Sequence, residues 1–272
     1  MSFPMTNIGG IEVSRLLCGT NPFAGFSHFS AARDNWLKAH FTAEKKLEVL
    51  EVCRQEGINC TLGGHDESYY HVLQEHERQT GHHWVWMCTP GGQTLEELKE
   101  EIRWCADHGA EICMPHQNFT DNRLLMSENR IVDGPEALQF IRDMGMIPGW
   151  SAHRPEVILV SDENDYDVET YITPYNATGF LCQVETDWTG KVIREAKKPV
   201  TIIKPLGAGR ILPPTGLTFV YNTCKDVDTV AVGFMGPEEA KEDIDIARDL
   251  IEGRQSEHEL QFTRSKSSFV KA

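Results

Sequence analysis

The chain has 272 residues, 40% of them hydrophobic and 25% charged, a length that suits one (β/α)8 barrel of about 250 residues better than two independent cores. Its 26 Lys and Arg against 41 Asp and Glu leave a formal net charge of −15, which repels a nucleic-acid backbone, and no basic cluster offsets it. No apolar run approaches the roughly 20 residues of a membrane span, and the opening Met1–Thr6 has neither a basic nor an apolar leader segment, so a cytoplasmic protein with no nucleic-acid or membrane partner is expected.

In chain order, Phe3–Val13 with Gly9-Gly10 at its centre reads as a hairpin capping a barrel floor. After it one unit recurs: a short apolar run, a polar loop, then an amphipathic stretch closed by glycine. That alternation is βα. The predicted strands are Arg15–Thr20, Ile58–Leu62, Trp84–Cys88, Glu111–Pro115, Met146–Ser151, Phe180–Glu185, Val200–Lys204 and Thr229–Gly233. Between them, Thr94 and Glu97 form a capping box ahead of the stripe Leu95, Leu98, Ile102 and Cys105. Gly57, Gly109, Gly145 and Gly253 stand where left-handed helix ends are needed, and Pro135 and Pro237 suit first helical turns. The acidic stretch Ser161–Asp167 reads as a solvated loop. The expected architecture is one TIM-barrel domain over residues 1–272, the barrel spanning about 14–253, with the tail 254–272 unassigned. A doubly wound open sheet would place a glycine-rich phosphate fingerprint after the first strand, and Gly19-Thr20-Asn21-Pro22-Phe23 has none. Eight cysteines include no C-x-x-C pair, and Cys18, Cys60, Cys88, Cys113 and Cys182 sit in apolar, strand-like runs, so they read as reduced core thiols.

Gly10-Ile11-Glu12-Val13-Ser14-Arg15-Leu16-Leu17-Cys18-Gly19-Thr20-Asn21-Pro22-Phe23 resembles the opening of the aldo-keto reductases, and Pro205-Leu206-Gly207-Ala208-Gly209 resembles their seventh-strand loop. The similarity continues through Gly149-Trp150-Ser151, Gln183-Val184-Glu185 and Val232–Glu239, covering most of residues 9–250. The resemblance implies a (β/α)8 barrel and NADPH-dependent carbonyl reduction by a Tyr acid, a Lys, an Asp and a His. Aligned on flanking residues, those positions hold Glu67, Thr89, Leu62 and His116, so only the His matches, and Tyr69 and Tyr70 are the neighbouring phenols. On the cofactor side, Ile203 replaces the stacking aromatic, Ala152 the amide-holding Asn, and Gly236-Pro237-Glu238-Glu239 the basic residues that grip the 2′-phosphate; Gln183 alone matches.

In such barrels chemistry sits on the loops at the C-terminal strand ends. His82, His83 and His108 precede strands, His71 and His76 fall on a helix, and His40 and His258 read as exposed. His65, His116 and His153 each follow a strand, and Glu185 ends the predicted sixth. His116, His153 and Glu185 are therefore the candidate ligands of a divalent metal (Zn, Mn or Fe), with plain hydrogen bonding to a substrate as the other reading. His65 and Asp66 are candidate proton carriers, and Lys204 is a candidate base, Schiff-base amine or, preferably, substrate clamp. His28, Gln117, Gln183, Trp188 and Arg210 complete the candidate substrate site. The expected function is a non-redox, metal-dependent isomerase, lyase, aldolase or hydrolase acting on a small carbonyl or sugar-like compound. Its alternatives are an NAD(P)H-dependent reductase using Tyr69 or Tyr70 with His116, and an inactive barrel that binds a metabolite or partner.

Overall fold

The structure is a computed structural model that describes residues 3–255; His258 and the tail beyond residue 255 lie outside the described residues. Gly9 and Gly10 have φ of 58° and 98°, the left-handed values a tight two-residue turn demands, and they join β1 (Met5–Ile8) to antiparallel β2 (Ile11–Ser14). Ile8 and Val13 of this hairpin are fully buried beneath the barrel, as expected of a floor cap.

The chain then runs through β3 (Leu16–Gly19), α1 (Ala31–His40), α2 (Ala43–Gln55), β4 (Cys60–Gly64), α3 (Glu67–Thr80), β5 (Val85–Thr89), α4 (Leu95–Asp107) and β6 (Ile112–Cys113). Next come α5 (Gln117–Arg123), an antiparallel pair β7 (Leu124–Leu125) and β8 (Arg130–Ile131), α6 (Gly134–Asp143), β9 (Ile147–Ser151) and α7 (Glu156–Glu163). The remainder is β10 (Thr170–Pro174), α8 (Thr186–Glu195), β11 (Val200–Ile203), α9 (Pro213–Tyr221), β12 (Thr229–Val232) and α10 (Pro237–Ile251). β3, β4, β5, β6, β9, β10, β11 and β12 close in that order into a barrel with every neighbouring pair parallel. Leu17, Cys60, Val85, Met87, Ile112, Met114, Ile147, Ile172 and Ala231 fill its interior, with Leu62 and Ile203 packed against them, so the lumen is a core and not a channel. Among the described residues no helix is long and apolar enough to cross a membrane, and all eight cysteines are free thiols.

The capping box at Thr94 and Glu97 forms, and Gly57, Gly109, Gly145 and Gly253 all adopt positive φ after their helices. Seven predicted strands overlap observed ones. The sixth does not: it is β10, Thr170–Pro174, buried on both faces and paired with β9 and β11, while Phe180–Glu185 is a turn leading into α8. Both runs are apolar enough to be strands. Asn176 decides between them, because its buried side-chain oxygen accepts the backbone N–H groups of Thr178 and Phe180 while its amide donates to the Phe180 carbonyl. Cys182 accordingly lies in a loop and not in the core. The acidic stretch is also redrawn: Ser161–Glu163 ends α7, and Asp162 accepts hydrogen bonds from Tyr171 (2.7 Å) and the Lys197 backbone (2.9 Å).

One buried carboxyl opposes this stability. Asp243 on α10 is 1% exposed, neither of its oxygens has a hydrogen-bond partner among the described residues, and burial, with Glu239 and Glu242 nearby, pushes it up to about 8. Unfolded, it ionises near pH 4; folded, it keeps its proton to about pH 8. The penalty of burying it is absent as an ionisation cost below pH 4 and grows as pH rises towards 8, at up to about 1.4 kcal/mol per pH unit. Asp243→Asn is expected to flatten the fall in stability between pH 5 and 8 and to raise the urea midpoint at pH 8; an unchanged slope contradicts the assignment.

Candidate active site

Four loops at the C-terminal strand ends build the barrel mouth. After β6, His116 caps α5, its Nδ1 accepting the Asn118 backbone N–H at 3.3 Å. A neutral ring with Nδ1 so engaged carries its proton on Nε2, which makes His116 a hydrogen-bond donor at its free edge. After β9, the His153 backbone N–H donates to both oxygens of Asp121 (3.2 and 3.1 Å), and Arg154 N–H adds a third bond at 3.3 Å. Asp121 lies on α5, so one seven-residue helix carries His116 at its cap and the carboxylate that positions His153. Burial pushes that carboxyl up to about 6, and the backbone donors hold it down against this.

After β3, His28 sits at φ 54° in a loop pinned by Asp34, which accepts from the Ser27 backbone and hydroxyl. After β11, Lys204 has φ 61°. Ile203 packs on the lumen, and in a regular strand the following side chain would point outward. The left-handed backbone breaks that alternation, at a cost of roughly 1–2 kcal/mol, and brings Lys204 Nζ within 3.5 Å of His28 Nε2.

Burial and the Lys204 charge set the protonation of this cluster. Burial drives Lys204 down to about 8, and no carboxylate among the described residues pairs with it. Burial first, then the Lys204 charge, lowers His116 and takes His153 down to about 4; the same two causes lower His28. At neutral pH the mouth therefore presents three uncharged imidazoles around one ammonium that gives up its proton near physiological pH.

Of the other expected residues only Arg210 borders the mouth. His65 packs on Trp104 with ring centroids 4.2 Å apart, its Nδ1 3.7 Å from Glu101, in a shallow groove of about 350 Å³ beside α4. Asp66 is the N-cap of α3, accepting Ser68 and Tyr69 N–H groups. Gln117 bonds Asn118. Gln183 is exposed in the turn before α8, and Trp188, 38% exposed, is on the first turn of that helix. Arg210 stacks on Phe180 (4.0 Å) and Phe29 (5.3 Å) and donates to the carbonyls of Gly207 and His28.

The metal expectation is corrected. Glu185 is not at a strand end but exposed at the start of α8, because the sixth strand is β10; His116 uses Nδ1 as an acceptor and so presents Nε2–H, a donor, where a ligand needs a lone pair. Among the described residues no three His, Cys, Asp or Glu side chains gather closely enough to hold an ion. Sequence reasoning missed Asp121 and Asn176. Asp121 carries no motif, since its partners are backbone groups 32 and 33 residues away, whereas Asn176 stands in an Asn-x-x-Gly turn pattern that was readable.

No family model matches the sequence, and no curated protein matches it significantly. Solved structures do. A Pseudomonas aeruginosa protein assigned to the aldo-keto reductases superposes with a TM-score of 0.69 at 16% identity, over 91% of this chain and 94% of that one. An aldo-keto reductase from Bacillus halodurans, in its holo form, gives 0.59 at 12% identity over 93% and 96%. One from a Medee basin deep-sea metagenome library gives 0.59 at 10% identity over 94% and 97%. The fold is that of the aldo-keto reductases. These aldo-keto-reductase-like neighbours carry reductase names, and with the ligand geometry above they overturn the expectation of a non-redox, metal-dependent isomerase, lyase, aldolase or hydrolase.

Lys204 yields a stability test. Its folded value of about 8 lies below the 10.5 of a free lysine, so the fold binds fewer protons than the unfolded chain between those values. Stability therefore rises with pH through that window, and the cost of the buried charge is complete below pH 8. Lys204→Met is expected to gain up to about 3 kcal/mol at pH 7 and to lose the rise between pH 8 and 10 in urea unfolding. A destabilised variant would show that the ammonium is compensated.

Proposed function

We propose that this protein is a cytoplasmic oxidoreductase that uses a nicotinamide dinucleotide to reduce a small polar carbonyl compound at the barrel mouth. The observation that carries this reading is Lys204 at the barrel mouth, its Nζ 3.5 Å from His28 Nε2 and its field felt by His116 and His153, in a barrel with the aldo-keto reductase fold. When bound, the dinucleotide supplies hydride to the carbonyl carbon. The carbonyl oxygen then gains negative charge and needs a proton donor matched to the working pH.

Lys204 supplies that donor. Its ammonium holds the carbonyl oxygen and passes it a proton, and the Nε2–H of His116 adds a second hydrogen bond at the same face. His28 Nε2, 3.5 Å from Nζ, is placed to exchange protons with the amine and solvent. His153, held neutral, accepts from or donates to a substrate hydroxyl. The phenols expected in the alternative reading do not serve. Tyr69 is 2% exposed, and burial, with Cys18 beside it, pushes it well above the tyrosine range, while Tyr70 accepts from Gln74 and packs with Trp86, Trp104 and His108.

The dinucleotide's diphosphate would be held by Arg33 and Arg210, whose guanidinium groups lie over Phe29 at 4.5 and 5.3 Å beside the Gly207–Gly209 backbone. Neither forms an ion pair among the described residues at 4.0 Å or less, so both charges are available. At the start of α10 the Glu239 carboxylate already accepts the Met235 N–H at 2.6 Å, and Glu238 stands beside it. Those carboxylates disfavour a 2′-phosphate at this helix, and NADH is expected to bind at least tenfold tighter than NADPH. Titration of intrinsic fluorescence with each dinucleotide, followed by turnover of short polar aldehydes and ketones, tests the reading. Arg210→Ala should weaken binding about tenfold, and Lys204→Met should reduce kcat by roughly 10²-fold or more. Absence of binding by either dinucleotide at millimolar concentration overturns the proposal.

A further inference from the structure

The mouth does more than donate a proton. Lys204 is sheltered at the end of β11, at a backbone conformation few side chains adopt, and its nearest polar neighbour is an imidazole nitrogen, not a carboxylate. A carboxylate partner would lock the amine in its charged, non-nucleophilic form; neutral imidazoles leave its lone pair obtainable and provide a proton acceptor 3.5 Å away. We propose that the Lys204 amine condenses reversibly with an aldehyde or ketone in the mouth to give a protein-bound imine, a covalent mode of carbonyl capture that requires no nicotinamide.

The step balances on the chain's own groups. His28 takes a proton from Nζ, and the freed lone pair attacks the carbonyl carbon, forming a C–N bond as the C=O π pair moves to oxygen. A proton transfers from nitrogen to that oxygen, giving a carbinolamine. Its hydroxyl leaves as water with the proton that His28 took, while the nitrogen lone pair forms C=N, giving the protonated imine and restoring neutral His28. One ammonium and one carbonyl enter, one protonated imine and one water leave, and no oxidant or reductant is consumed. In the same proposal the Nε2–H of His116 is assigned as the hydrogen-bond donor to the departing oxygen, as in the reduction.

Chemistry separates Lys204 from other lysines. With a value of about 8 against about 10.4 for an ordinary lysine, its free-amine fraction at pH 7.5 is on the order of a hundredfold larger.

The test treats the full chain with glycolaldehyde and sodium cyanoborohydride at pH 7.5, without dinucleotide, and follows intact mass and peptide maps. The first reductively trapped equivalent is expected on Lys204, at least tenfold faster than on any other lysine of the same molecule, and the fast phase is expected to vanish in Lys204→Met. Labelling spread evenly over the lysines, or a fast phase that persists in the variant, overturns the proposal. The wild-type map decides by itself should the variant fail to fold. Because the reduction reading is tested by dinucleotide binding in separate samples, failure of one leaves the other standing.

Discussion

An ammonium without a counter-ion is the constraint around which the mouth is organised. Lys204 is half-buried at the end of β11 with no carboxylate beside it, and its field reaches His28, His116 and His153, which arrive on three other loops. Each imidazole is held uncharged at rest by burial and by that field, which leaves His28 Nε2 open to receive a proton from the amine. Sites of this kind are expensive: a left-handed backbone, an unpaired cation and desolvated rings all act against folding, and the barrel core beneath carries the difference.

What keeps the rings in register is hydrogen bonding between side chains and backbone amides. His116 spends Nδ1 on capping α5, and five residues on, Asp121 holds the backbone of His153. The loop after β6 thereby fixes the loop after β9, although β6 itself is only two residues long. On the neighbouring side Asn176 folds its own loop into a turn, which keeps Gln183 and Glu185 out of the barrel and leaves Lys204 without an acidic neighbour from that direction.

Much of this was legible in the residues. Periodicity, the capping box and four glycine stops located seven strands, and the rule that chemistry follows strand ends selected His116, His153 and Lys204. The failure at the sixth strand has a local cause: Thr170–Pro174 and Phe180–Glu185 are comparably apolar, and the choice rests on hydrogen bonds from one asparagine, not on hydrophobicity. Glu185 was misplaced by that error, and the metal reading with it. Asp66 looked like a proton carrier because a helix cap and a general base are the same residue type; only geometry tells them apart. Asp121 gave no signal because its partners are amides distant in sequence.

The Phe29 ring carries both the guanidinium of Arg33, on α1, and that of Arg210, in the loop after β11. Each exposed stack of this type is worth about 0.5–1 kcal/mol, so the two segments are joined by a clasp strong enough to correlate their positions and weak enough to part on thermal timescales. An anion held by both arginines therefore also fastens the start of α1 to the loop after β11 through this ring, without any movement of the barrel.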